Sequence, residues 1–265
     1  MDKNTKIIIG IVAVFALGCV CTGIVGGVAA LMVKSTPDNM PNNRNVWNNI
    51  KAPKFSTRTD DFSDFGPYTK PVIKDGRFYG TRAYAKGIGK YPVEFSVKIP
   101  KAAGWKTLES KRRTDKNFVQ FIKFNKAGGE VDMFSVGYMK HTRPYNSNNE
   151  ANRKLAKELG EKLARIFKQQ FDAKGAKTRI EHKGWSKRQG RYEYRVDLHL
   201  SKWVNVKSPK GPYMLTMLFR PRLDHKPHGV TLLIASEKTA EIPNHDTMLT
   251  KGTLGDTLAS FRFEE

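Results

Sequence analysis

Two stretches hold the residue types that could do chemistry. In Asp224-His225-Lys226-Pro227-His228-Gly229, two imidazoles and a carboxylate fall within five positions. That is a donor set a divalent metal could take. Lys226 stands between the two imidazoles and would repel a cation, and the Pro and Gly read as a turn between strands. His225 and His228 are therefore weak metal candidates, and no cofactor is expected. In Gly190-Arg191-Tyr192-Glu193-Tyr194-Arg195-Val196-Asp197-Leu198-His199-Leu200, polar and apolar residues alternate. Alternation places Glu193, Asp197 and His199 on one face of a strand. A base with an orienting carboxylate is conceivable there, which makes a hydrolase or metal-dependent enzyme the competing reading. No Ser or other nucleophile has an activated setting nearby, and an alternating-charge strand face is ordinarily a cross-strand ion-pair face. No catalytic residue is expected, and the chain reads as a non-enzyme.

Other chemistries drop out quickly. Gly89-Lys90 lacks the second glycine and the Ser or Thr of a phosphate loop. Ser147-Asn-Asn-Glu150 is a capping box, so Ser147 is a helix cap rather than a nucleophile. The chain has two cysteines, Cys19 and Cys21, both inside an apolar run. The rest therefore carries no disulfide, zinc–thiolate site or cysteine nucleophile.

Charge is the stronger signal. The 265 residues carry 47 Lys and Arg against 25 Asp and Glu, a formal net charge of +22. Such a charge speaks to anionic partners rather than to fold. Lys111-Arg112-Arg113 and Lys183…Lys187-Arg188 are the densest clusters and the expected contacts for an anionic partner. Nucleic acid would also want an aromatic platform, and "GRFYGTRAY" does not match the RNA-recognition consensus, so nucleic acid is not the expected partner. A cytoplasm-facing nucleic-acid binder is kept as the second alternative.

These residues need elements to hold them. Phe95, Val97 and Ile99 alternate before Pro100, and "FVQFIKF" and "VDMFSVGYM" follow as strands joined through Lys126-Ala127-Gly128-Gly129. Leu155, Leu159, Leu163, Ile166, Phe167 and Phe171 recur at spacings of 3 and 4, the buried face of a long helix that stops at Gly175. Four more strands are expected near 177–183, 191–201, 213–220 and 229–235. "YMLTMLF" is apolar on both faces and should lie centrally in the sheet. A closing helix over about 245–259 turns Met248, Leu249, Leu254 and Leu258 inward. Sequential strands with short turns imply a mainly antiparallel sheet, and two amphipathic helices imply helix layers on its faces.

Ahead of this domain, Ile7–Val33 is 27 residues without a charge. A bilayer core of about 30 Å needs about 20 helical residues, so the run is long enough to span. A lipoprotein signal would place Leu first in the tetrad, yet here it reads Ala16-Leu17-Gly18-Cys19 and the apolar run continues past Cys21. A retained helix is the expectation. Lipidation at Cys19 and a cleaved signal are the alternatives. Gly18, Thr22 and Gly26 form a small-residue stripe that would let helices approach in lipid. The expected organisation is a head over 1–6, a transmembrane helix over 7–33, an Asn/Pro/Gly-rich tether over 34–90 with room for a short hairpin in "KDGRFYGTRAYAKGIGKYP", and a folded domain over 91–265. The short head puts the amino end in the cytoplasm and the large domain outside it, periplasmic or extracellular. The expected contacts are then membrane lipid around the helix, an anionic lipid or wall polymer, or a protein partner in the membrane.

The order of elements resembles the PsbP-like fold, over about residues 91–263. Phe95-Ser96-Val97-Lys98-Ile99-Pro100 followed by Gly104-Trp105 is similar to that family's opening strand and its Gly-Trp. Gly190-Arg191-Tyr192-Glu193-Tyr194 is similar to its mid-domain turn into a strand, and Ala259-Ser260-Phe261 to the end of its last helix. The resemblance implies an α+β fold. It would be a three-layer α/β/α sandwich around a mainly antiparallel sheet of about seven strands, here preceded by one N-terminal transmembrane helix. It further implies a non-enzymatic accessory or binding module, with no shared ligand or catalytic residue to carry over.

Overall fold

The computed structural model describes residues 68–88, 93–111, 117–126, 128–139, 149–188, 190–203, 211–222 and 229–264. The apolar run, with Gly18, Cys19, Thr22 and Gly26, lies outside the described residues, as do Ser147, Arg112, Arg113, His225 and His228. Among the described residues, no helix is long and apolar enough to cross a membrane.

The chain begins with a hairpin, β1 (Val72–Lys74) and β2 (Arg77–Gly80). Its turn is Asp75-Gly76, both at positive φ (51° and 68°), the backbone that a two-residue hairpin turn demands. Helix α1 (Arg82–Gly87) follows, with Thr81 accepting from the Tyr84 N–H at 3.1 Å. Next come β3 (Phe95–Lys98), β4 (Trp105–Glu109), β5 (Asn117–Phe124), β6 (Glu130–Met139) and the long helix α2 (Asn149–Ala173). Strands β7 (Thr178–Arg188), β8 (Arg191–Leu200), β9 (Tyr213–Arg220) and β10 (Gly229–Glu237) then run in sequence. Helices α3 (His245–Thr250) and α4 (Gly252–Ser260) and the short β11 (Arg262–Phe263) close the fold.

Seven strands pair antiparallel in the order β4-β5-β6-β10-β9-β8-β7, and four more in the order β1-β2-β3-β11. The molecule is thus a mixed α+β domain on a seven-stranded antiparallel sheet. Its two faces bury separate apolar clusters. On one, Leu163, Phe167 and Phe171 of α2 meet Tyr194, Val196, Leu198 and Leu200 of β8 and Leu215, Met217 and Phe219 of β9. On the other, Phe78, Tyr84, Phe95 and Val97 join Met248, Leu254, Leu258 and Phe261 over Phe121, Phe134, Leu218 and Ile234. Strand β9 is buried along its whole length between β10 and β8, as its two-sided apolar pattern anticipates.

Three expectations need correction. Residues 72–88, read as the end of a tether with room for a short hairpin, do form the hairpin β1–β2 but also a helix, and Phe78, Tyr84, Ala85 and Ile88 are fully buried in the domain. The strand at Phe95 does not open the large sheet but pairs with β2 and β11 in the small one. The seventh strand of the large sheet is instead β4, an edge strand with exposed Lys106, Thr107 and Leu108 and so no apolar alternation to betray it. The closing helix is two helices. Lys251 is extended and Gly252 sits at φ +63°, which ends α3 and re-aims α4 while Met248, Leu249, Leu254 and Leu258 stay buried.

Helix α2 ends where Gly175 takes φ +82°, and the Ala176 N–H reaches the Phe171 carbonyl at 3.0 Å. Its close approach to the sheet depends on Gly160, where an added Cβ would stand 2.6 Å from Cδ1 of Tyr194. That ring is held by Trp185 edge-on and by its hydroxyl donating to Glu161 at 3.1 Å. Gly160→Ala is expected to cost about 1–2 kcal/mol, the overpacking exceeding the helix-propensity gain. Chemical denaturation reads this, and a stabilised variant would show that α2 can shift outward freely.

Candidate functional site

The polar face of β8 looks away from α2, and each of its carboxylates is answered by its own arginine. The register sets Ser186 of β7 opposite Glu193, and the β8–β9 pairing of Tyr194 with Phe219 brings Glu193 and Arg220 to adjoining ends of their strands. Glu193 is 0% exposed, and its Oε2 accepts from Arg220 Nε at 2.6 Å. Its Oε1 accepts from Arg188 Nε at 3.3 Å and from Ser186 Oγ at 3.4 Å.

Asp197 is 2% exposed. It accepts from Arg195 Nε at 2.8 and 3.0 Å and from Thr216 Oγ1 at 2.7 Å. The second contact of Thr216 is Nδ1 of His245, 3.0 Å away at the start of α3. His245 is buried, and its Nε2 lies 3.5 Å from Oε2 of Glu181 without hydrogen-bond geometry. Burial presses the His245 pKa below its usual value, while Asp197 and Glu181 oppose the shift. His199 is also lowered, by burial first, with Arg179 and Lys238 adding to it and Glu181 opposing. Both imidazoles are thereby kept neutral at physiological pH. Arg195 reaches past Asp197 to Asp246 at 2.7 Å, which ties α3 to β8.

This arrangement accounts for the alternating Glu193, Asp197 and His199. Glu193 and Asp197 are acceptors engaged by Arg220, Arg188, Arg195 and Thr216, and the fully buried Thr216 hydroxyl donates to Asp197 with the His245 ring as its other contact. Such groups hold β7, β8, β9 and α3 in register, which is positioning work. Among the described residues, no group of three or more His, Cys, Asp or Glu side chains is arranged to hold a metal ion. Alternation also put Arg195 on this face, but sequence reasoning missed Glu181, Thr216, Arg220 and His245. One signal was available: Thr216 and Arg220 interrupt the apolar β9 four residues apart, on one face, and a buried polar residue needs a partner.

The basic clusters do not merge. Lys111 follows β4, and Lys183, Lys187 and Arg188 lie on β7, at the opposite edge of the seven-stranded sheet. Six strand intervals of about 4.8 Å separate the two edges. Strand alternation also splits the second cluster. Lys183 and Lys187 share the α2 side with Val196 and Tyr192, whereas Arg188 turns to Glu193.

The fold and this face define a class: a mixed α+β domain on an antiparallel sheet whose ionic residues are buried in pairs. The chain is similar to cyanobacterial PsbP from Synechocystis sp. PCC 6803, known from a solution structure. The identity is 12%, the TM-score is 0.37, and the match covers 74% of this chain and 91% of that one. Neither a protein-family model nor a curated protein sequence matches the chain.

Proposed function

We propose that this protein is a non-catalytic, membrane-anchored binding or accessory module, with a PsbP-like three-layer α/β/α domain that contacts an anionic surface. One observation carries the reading, a basic and aromatic patch where β7 runs beside α2. Trp185 is 39% and Tyr192 40% exposed, with Ile180 nearby on the same face. Exposed Lys183 and Lys187 alternate with Trp185, and the Tyr192 ring lies between Arg153 at 4.7 Å and Lys187 at 5.6 Å. Aromatic rings flanked by cations suit the headgroup level of an acidic bilayer, where the ring enters and the cation stays wet. The uncharged run at 7–33 would hold the domain within reach of that surface.

A fragment of residues 36–265, which keeps every described element, is expected to sediment with phosphatidylglycerol vesicles. Binding should fall at least about tenfold between low and physiological salt. Lys183→Glu with Lys187→Glu should abolish it, and Lys111→Glu at the far edge should not. Absent or salt-insensitive binding would overturn the lipid reading and leave a specific protein partner.

A further inference from the structure

A second concentration of positive charge lies elsewhere, in a groove at the end of α4. Arg77 of β2, Lys98 of β3, Arg191 of β8 and Arg262 of β11 line a space of about 730 Å³, with Asp256 and Phe261 of the α4 segment closing it. The register explains the convergence. Arg77 stands opposite Lys98 and Arg262 opposite Ser96, so three of the cations leave one face of the four-stranded sheet. Two guanidinium groups are held in place by one hydroxyl. Ser96 Oγ accepts from Arg77 Nε at 3.1 Å and Nη2 at 2.6 Å, and from Arg262 Nε at 3.2 Å. Arg77 Nη2 also donates to the Ser260 carbonyl at 2.7 Å, and Arg262 Nε to Glu264 at 2.9 Å.

Behind Phe261 lies a fifth cation. Arg220 is 1% exposed, and its guanidinium carbon is 5.3 Å from the centre of the Phe261 ring. Its Nε is taken by Glu193, but Nη1 and Nη2 have no hydrogen-bond acceptor among the described residues. Arg191 stands close enough to repel it. Four lining cations face one lining carboxylate, Asp256, and Glu264, which pairs with Arg262 at 2.9 Å, so the groove keeps a net positive charge. An anion entering the groove would offset that surplus of positive charge. Guanidinium forks fixed in orientation suit the several oxygens of a tetrahedral oxyanion better than a point charge would.

We propose that this groove binds a phosphate group, carried either by a soluble phosphate compound or by a lipid headgroup. The site is separate from the β7–α2 patch and does not depend on it. The test is calorimetric titration of the full chain in neutral detergent with inorganic phosphate. Saturable binding is expected, weakened about tenfold by Lys98→Gln and again by Arg262→Gln. Both side chains are exposed, so the melting temperature should hold in each variant. Lys183→Gln should leave phosphate binding unchanged. Short-chain soluble phosphatidic acid serves as the second probe. Tighter binding than inorganic phosphate assigns the group to a lipid headgroup, and equal or weaker binding assigns it to a soluble compound; either result supports the site. No saturable binding of either probe, or full binding in both Gln variants, overturns it.

Discussion

Glu130→Gln is expected to raise stability at pH 8 by about 3 kcal/mol and to leave it unchanged at pH 4. Glu130 opens β6 and is 8% exposed, and Oε2 has no hydrogen-bond partner among the described residues. Burial pushes its carboxyl from 4.5 up to about 7, and the Trp203 indole only partly opposes this. The unfolded chain would titrate near 4.5, so between 4.5 and 7 unfolding releases a proton that the folded state keeps. Stability is therefore full below about 4.5, falls as the pH rises through about 7, and is flat above. Glutamine holds the same shape without the charge and so removes the pH-dependent loss. Denaturant midpoints of both proteins across pH 4 to 8 test this. A difference that did not vary with pH would place its origin in packing rather than in ionisation.

Glu193→Ala is expected to cost about 3–5 kcal/mol, a large share of the stability of a domain this size. The substitution leaves Arg220 buried beside Arg191 and Arg188 with its carboxylate gone. The pair itself is a different matter. Replacing both partners, as Glu193→Leu with Arg220→Met, should be near neutral or stabilising, because the desolvation of two charges disappears with their attraction. A double-mutant cycle by chemical denaturation separates the two terms. A loss below about 1 kcal/mol for Glu193→Ala would mean that water reaches the pair. If Glu193 is a positioning residue, stability collapses in the single variant and returns in the apolar double variant.

How much of this was written in the sequence depends on the range of each interaction. The period-2 alternation of Tyr192 to Leu200 correctly marked a strand and sorted its two faces. The 3–4 spacing of Leu163, Phe167 and Phe171 marked the face of α2 that meets them. Both patterns are local consequences of burying one side of an element. Strand β4 left no such mark, because an edge strand buries little of either face. Nor could local pattern say that Phe95–Lys98 would leave the large sheet for a small one, since strand periodicity does not name the strand's partner.

The sites show the same division. That Glu193, Arg195, Asp197 and His199 would share a face was legible; that Arg220, Thr216 and His245 would answer them from other elements was not. The basic clusters, each compact in sequence, are kept apart by the width of the sheet, and strand alternation splits the second. The groove is the reverse case. Arg77 bonds to Ser260, 183 residues away, and Arg191 and Arg262 join from two further strands. Composition and periodicity were enough for a strongly basic α+β chain, its central strand and its buried helix face. Which charges meet was settled by packing, because strand order and register bring together side chains that no local spacing connects.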